Sequence, residues 1–235
     1  MQSALSGGLG PPLWEASWLG YSRAVDRVPL IVGIAGGTGS GKTTLTRKLK
    51  AALKDELVVI EHDHYYKDRS HLPPDQRARL NYDEPDALDS HLLIRDLQQL
   101  RRGQVAACPC YDFATHTRKA QPVRIEPAPL IVVEGILLLA VPELAECFDL
   151  AIYVETSDDL RILRRIRRDM IERGRSLESI EAQYLQTVRP MHLLHVEPSR
   201  RRAHLIVPEG GENTQALDVI VGRLRYLLLS QPESS

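Results

Sequence analysis

Long apolar runs, cysteine and net charge are all scarce in this chain of 235 residues, and each scarcity excludes something. No apolar run reaches the roughly 18 residues that a membrane-spanning helix needs, so no membrane partner is expected. Three cysteines, Cys108, Cys110 and Cys147, are too few for a disulfide framework and point to a reducing compartment. Cys108-Pro109-Cys110 could be half of a metal site, but no second Cys/His pair at metal spacing follows, and small buried side chains are the simpler reading. A formal net charge of −1 leaves no surface-wide basic footprint and argues against a nucleic-acid partner. Repeats and low-complexity tracts are also missing. Residues 1–27 lack the basic start and continuous apolar core of a signal peptide. With Gly7-Gly8, Pro11-Pro12, Trp14 and Trp18 they read as a poorly ordered extension, with a short docking segment around Leu13 to Leu19. Residues 230–235 read as a frayed tail.

What the chain does have is Gly36-Gly37-Thr38-Gly39-Ser40-Gly41-Lys42-Thr43, followed by Thr44. It matches G-x-x-x-x-G-K-[ST] in the right context, between the strand-like run Leu30 to Ala35 and a helix expected from Thr43 to Leu53. Glycines let successive backbone N–H groups face one concavity, and the helix N-terminus adds partial positive charge. Lys42 then reaches β/γ-phosphates, and the Thr43 hydroxyl is a ligand for Mg²⁺. The run therefore predicts a nucleoside triphosphate as ligand.

Further strand-like runs, Leu57–Ile60, Pro129–Val133, Leu150–Val154 and Ala203–Val207, alternate with helical patterns at 89–101, 158–172 and 214–229. That rhythm predicts an α/β domain over 28–229, a parallel sheet with helices on both faces. The interval 104–124 breaks the rhythm and reads as an inserted β-hairpin around Tyr111-Asp112-Phe113.

Two carboxylates fall at strand ends, where open α/β sheets bind ligands. Glu134 follows a fully apolar strand and is positioned to hold Mg²⁺ opposite Thr43; a surface Glu in a turn is the bland alternative. Asp63 follows the second strand and is the best-placed base or aligning carboxylate for an acceptor hydroxyl. His62-Asp63-His64 also crowds three possible metal ligands, although neighbours in an extended strand point to opposite faces. Seven arginines lie between Arg161 and Arg175, with Arg161, Arg164, Arg165 and Arg168 on one helical face. They form either a solvated charged face or a phosphate clamp, and Gly174 supplies a joint for a closing lid over 158–189. His192 and His195, three apart, do not have the zinc-peptidase spacing and read as core or interface histidines.

Several further blocks occur in order: Asp63-His64-Tyr65-Tyr66-Lys67-Asp68, Asn81-Tyr82-Asp83-Glu84-Pro85-Asp86-Ala87, Tyr111 to Arg118, and Glu134-Gly135-Ile136-Leu137. They continue with Arg164 to Asp169, Glu172 to Arg175, Gln183-Tyr184 and Val188-Arg189-Pro190. With these blocks the chain resembles the bacterial-type uridine kinases, also called uridine–cytidine kinases, within the P-loop kinases, from Leu30 to Leu228. The resemblance implies a P-loop NTPase-type fold with an arginine-rich lid, and transfer of phosphate from ATP or GTP to the 5′-hydroxyl of uridine and cytidine in pyrimidine salvage. It implies Asp63, Lys42 and Arg168 as catalytic residues, and Asp83 and Arg165 as the residues that hold the ribose hydroxyls. Tyr66, Tyr82, Tyr111, Phe113, His116 and Gln183 would line the sugar and base pocket, and Arg173 and Arg175 would contact phosphate beside the loop Gly36–Thr44. Mg²⁺ at Thr43, Glu134 and Asp63, a cytoplasmic homotetramer, and feedback inhibition by CTP or UTP are implied likewise. Two features depart from the resemblance, the extension before Val28 and Glu84, where relatives more often have His. Other kinases of this fold, such as phosphoribulokinase or pantothenate kinase, leave the Tyr111-to-Arg118 block unexplained. A GTPase-type switch lacks its Asn-Lys-x-Asp motif, and a non-catalytic ATP-binding regulator would need neither Asp63 nor the arginines.

Overall fold

The structure, a computed structural model, describes residues 28–230; the expected extension 1–27 and the tail beyond Ser230 lie outside the described residues. Five strands form one wholly parallel sheet in the order β2-β7-β1-β8-β9: β1 Leu30–Ala35, β2 Leu57–Glu61, β7 Leu130–Glu134, β8 Leu150–Val154 and β9 Leu205–Val207. The central strands are apolar, apart from Glu134 at the end of β7, because both faces are covered. Ile31, Ala35, Ile131, Val133, Ala151 and Tyr153 point to one core. Leu30, Val32, Ile34, Leu130, Val132, Ile152 and Val154 point to the other.

The second core is closed by helix α1 (Lys42–Leu53), through Leu45, Leu49 and Leu53, and by the last helix, Thr214–Ser230, through Ile220, Leu224 and Leu228. A short helix, α2 (Pro74–Arg77), precedes α3 (Ser90–Arg101), which covers the first core through Leu93, Leu97 and Leu100. Asp89 caps α3 by accepting the Leu92 N–H, and Gly103 ends the turn beyond it with φ 73°.

The expected hairpin is two nested antiparallel ladders. The outer pairs β3 (Ala106–Cys108) with β6 (Val123–Ile125), and the inner pairs β4 (Tyr111–Asp112) with β5 (Thr117–Arg118). Arg118 ties the inner ladder to the 3₁₀ turn that follows β2, donating to the backbone carbonyls of Tyr66 (2.8 Å) and Tyr65 (3.1 Å).

After α4 (Pro142–Ala145) and β8 comes α5 (Asp158–Ile171), which is inverted relative to an ordinary surface helix. Arg161, Arg165 and Asp169, spaced by four, are its buried residues, whereas Leu160, Leu163, Met170 and Ile171 are exposed. Helix α6 (Leu177–Gln183) then runs into two π-helical turns, Tyr184–Val188 and His192–Val196, each followed two residues later by a proline, Pro190 and Pro198. A proline inside a helix has no N–H and its ring excludes the carbonyl four residues back, and a widened turn relieves both conflicts.

Beneath the hairpin, the Tyr65 hydroxyl donates to Asp96 at 3.0 Å, and Asp96 is 1% exposed. Burial raises the Asp96 pKa while the Tyr65 bond and Arg95 oppose it. Tyr65→Phe removes a neutral donor from that buried carboxylate, so stability at pH 7 should fall by about 1–3 kcal/mol. A urea midpoint unchanged from wild type would show that the bond contributes nothing.

Candidate active site at the carboxyl edge of the sheet

The loop after β1 folds as its glycines require. Gly36, Gly39 and Gly41 have φ of 144°, 75° and 97°, and a Cβ on Gly39 would sit 2.4 Å from the Arg161 carbonyl oxygen. Gly41 ends the loop, and Lys42 and Thr43 open α1. The Lys42 ammonium bends back onto the carbonyls of Gly36 (2.9 Å) and Gly37 (3.0 Å). Burial pulls its pKa down to about 8, against the opposing pull of Glu134 and then Asp63.

Glu134, at the end of β7, is 8% exposed and accepts from the Thr46 hydroxyl at 3.3 Å. Its pKa is raised, by burial first; Lys42 and a hydrogen bond from Thr43 oppose the shift, and the charges of Glu61 and Asp63 add to it. Asp63 lies in the short 3₁₀ turn His62–Tyr65 that ends β2. Its pKa is raised by burial, then by Glu61, while Lys42 and Arg173 pull it down. The sequence reading missed Glu61. It is the register partner of Glu134 across the β2–β7 pair, and its charge acts on both Glu134 and Asp63. Its place, immediately before the His62-Asp63-His64 run at a strand end, was the available signal.

The neighbouring histidines face different ways. His62 is fully buried against Gly135, where a Cβ would come within 2.5 Å of its own, and burial drops its pKa to about 3. His64 accepts the Tyr111 N–H on Nδ1 at 3.1 Å, which couples the hairpin to the turn carrying Asp63. Among the described residues no group of three or more His, Cys, Asp or Glu converges closely enough to enclose a metal alone. Mg²⁺ usually takes one or two carboxylates, with phosphate and water completing the octahedron. Glu134 beside the Thr43 hydroxyl, with a surplus of carboxylate over ammonium, is a hard-oxygen donor set that fits such an ion.

The aromatic residues singled out from sequence form one contiguous group. Ring centroids lie 5.2 Å apart for Tyr66–Tyr82 and for Tyr66–Tyr111, 5.4 Å for Tyr111–Phe113, and 5.0 Å for Tyr82 stacked on His116. His116 sits in the hairpin turn with φ 54°, and burial followed by the Arg77 charge lowers its pKa. Asp83 borders this group. Burial raises its pKa, while a hydrogen bond from Thr187 and the charge of Arg165 pull it back.

The arginines divide into two sets that sequence spacing alone did not separate. Arg161 braces the phosphate loop from behind: a Cβ on Gly37 would strike its Nη1, its Nη2 pairs with Asp158, and His192 Nε2 lies 2.9 Å from the same nitrogen. His192 is therefore a buried neighbour of the loop, in keeping with the core reading. Arg164 stays exposed, with its Nη1 3.4 Å from the Gly39 carbonyl. Around Asp169, which is 0% exposed, gather Arg165 (3.8 Å), Arg168 (2.8 Å), Arg173 (3.4 Å) and Arg175 (3.4 Å). Arg165 also reaches the Thr38 hydroxyl (3.2 Å), and the Gln183 amide oxygen accepts from both Arg165 (2.8 Å) and Arg175 (2.6 Å). The cleft thus sets Glu134 and Asp63 beside a lysine on one wall and a fan of guanidinium groups on the other, a layout suited to moving a phosphoryl group.

Comparison with known proteins agrees with this layout. The sequence profile described as "Phosphoribulokinase / Uridine kinase family" matches residues 31–216. A uridine kinase of Chloroflexus aurantiacus is 49% identical over 205 residues, 87% of this chain and 98% of that protein. A uridine kinase of Oceanobacillus iheyensis is 47% identical over 201 residues, 85% of this chain and 96% of its own length. The phosphoribulokinase from Rhodobacter spheroides shares the fold, with a TM-score of 0.57 at 16% identity over 75% of this chain and 68% of that one. A phosphate loop, a carboxylate at each of two neighbouring strand ends, an arginine-bearing helix and near full-length similarity lead to one conclusion: the chain belongs to the phosphoribulokinase and uridine kinase family.

Proposed function

We propose that this protein is a kinase that transfers the γ-phosphoryl group of ATP to the 5′-hydroxyl of uridine, and of cytidine, to give UMP and CMP. The observation that carries this reading is the position of Asp63. Its charge acts on Lys42 at the phosphate loop and on Tyr66 in the aromatic group, and Tyr66 in turn feels Asp83. A single carboxylate therefore stands where a nucleotide and a nucleoside would meet, in a chain whose relatives named uridine kinase match almost end to end.

Each residue has a physical task in this reading. The backbone N–H groups of Gly36–Thr44 and the Lys42 ammonium cradle the β- and γ-phosphates. Asp63 accepts the hydrogen of the 5′-hydroxyl and aligns its oxygen with the phosphorus. Arg168 and Arg173, with Arg175, swing with the segment 158–189 as a lid and meet charge that spreads over the equatorial oxygens. Asp83 and Arg165 hold the ribose hydroxyls, and Tyr66, Tyr82, Tyr111, Phe113, His116 and Gln183 enclose the base. Mg²⁺, held by Thr43 and Glu134 with Asp63 nearby, would neutralise charge on the phosphates.

The reading extends to GTP as a second donor, to CTP or UTP as feedback inhibitors, and to pyrimidine salvage in the cytoplasm. It also includes a homotetramer. The exposed Leu160 and Leu163 of α5, with Leu185, Leu193 and Leu194 on the turns that follow, would supply apolar surface for such an assembly.

Asp63→Asn should reduce kcat by about 10²–10⁴-fold while ATP affinity stays near wild type. Retained turnover in the purified, folded variant would remove Asp63 from the mechanism.

Lys42 gives a pH signature. Its proton leaves the free protein as pH rises through about 8, whereas bound phosphate anions restore the charged form. In a profile from pH 6 to 10, kcat/KM for ATP should therefore fall roughly tenfold per unit above that value, with kcat holding to higher pH. A flat kcat/KM up to pH 9.5 contradicts a desolvated lysine.

His116 is held neutral at pH 7 because its pKa lies below the ordinary histidine value. A neutral imidazole offers one donor and one acceptor, so it serves both the uridine 4-carbonyl and the cytidine 4-amino group. His116→Ala should shift the uridine-to-cytidine ratio of kcat/KM, and in wild type that ratio should stay constant from pH 7 to 8. An unchanged ratio in the variant would mean that His116 does not read the base.

A further inference from the structure

We propose that Thr187 is a positioning residue for the nucleoside, holding the Asp83 carboxylate in the orientation that accepts the ribose hydroxyls. The inference rests on the kinase reading above and adds a residue to it.

Thr187 lies 104 positions from Asp83 in sequence, yet its hydroxyl donates to Asp83 Oδ2 at 3.0 Å. The contact follows from the shape of the helix. Pro190 has no N–H to give, and the turn before it widens until the Arg189 N–H reaches back five residues to the Tyr184 carbonyl. Thr187 sits in that widened turn, half-buried, with its hydroxyl directed across the cleft. The Gln183 carbonyl is also within reach, at 3.1 Å. One hydroxyl has one proton, and a carboxylate is the stronger acceptor.

The surroundings of Asp83 leave little else to orient it. Its own N–H donates to the Asn81 side-chain oxygen at 3.0 Å, which fixes the backbone of the loop. Arg165 attracts the carboxylate from α5, but its two terminal nitrogens are committed to Thr38 and Gln183. Tyr66 contributes an aromatic wall and feels the Asp83 charge. The Thr187 hydroxyl is thus the one side-chain donor within hydrogen-bond distance of the carboxylate among the described residues. An ionised carboxylate has about four lone-pair directions. With one taken by Thr187, the group cannot spin about χ2, and the others stay aimed at a pair of vicinal hydroxyls.

The experiment compares wild type, Thr187→Val and Thr187→Ser in the full-length protein, with uridine and 2′-deoxyuridine as acceptors and ATP as donor. Valine keeps the shape and removes the proton; serine keeps the proton. Thr187→Val should raise KM for uridine by about tenfold, the usual scale for losing a hydrogen bond to a charged group. Its kcat should change less than about threefold and its KM for ATP should not change. Preference for uridine over 2′-deoxyuridine should narrow by a similar factor, and Thr187→Ser should return both quantities to within about twofold of wild type. A valine variant with unchanged KM and unchanged ribose preference overturns the proposal. So does a serine variant as impaired as valine, or a parallel rise in KM for ATP, since either marks a merely structural role. If the valine variant does not fold, Thr187→Ala is measured against the same criteria. A wild-type protein that phosphorylates no nucleoside would refute the kinase reading itself, whereas an active wild type with an indifferent valine variant refutes only the role of Thr187.

Discussion

One buried carboxylate organises the catalytic end of this molecule. Asp169 has no exposed surface and collects Arg165, Arg168, Arg173 and Arg175 around it. A carboxylate taken out of water is tolerable only when its oxygens are fully engaged, and four guanidinium groups crowded together are tolerable only around an anion. Each half of the cluster therefore requires the other. The same pairing explains the inverted helix α5. Its inward face carries charge because that charge has a buried partner and a cleft to serve, and its leucines are left outside.

Opposite this cluster stand Glu61, Asp63 and Glu134, all at the carboxyl ends of adjacent strands. Parallel strands deliver their last residues to one edge, so register alone assembles the acidic wall. Burial raises Asp63 and Glu134 together, and Lys42 is the positive charge that both lean on. The protein in this form thus holds separated walls of opposite charge in a partly dry cleft. Such a field is worth most to a reaction whose charge moves from one wall toward the other.

Most of the architecture could be read from local pattern. The strands Leu30–Ala35 and Leu150–Val154 have the bounds that their apolar runs predict, and the helix expected over 89–101 forms from Ser90 to Arg101 with Asp89 as its cap. The phosphate loop was legible because few other structures need that spacing of glycines. What escaped was non-local. Nothing near Asp169 distinguishes it from Asp158 or Asp159, which stay exposed on the same helix. Arg161 and Arg165 share a helical face, yet one braces the loop from behind and the other borders Asp83. The interval around Tyr111 was legible as a hairpin but not as two nested ladders, because strands of two or three residues are too short to show alternation. The widened turns before Pro190 and Pro198 were signalled by those prolines, but their effect is a change of direction that a count of residues does not reveal.

The resting contacts of Lys42 bear on the end of the catalytic cycle. When a highly charged product leaves a cleft of this kind, an ammonium stripped of its partners would be stranded in a poorly solvated place, and the barrier to departure would carry that cost. Here the carbonyls of Gly36 and Gly37 already stand at hydrogen-bond distance. The lysine can swap one set of acceptors for another at nearly constant coordination, much as a metal ion exchanges ligands. On the proposed reading, the residence time of a departing nucleotide would depend on the ease of that exchange, and a loop built for capture would also govern release.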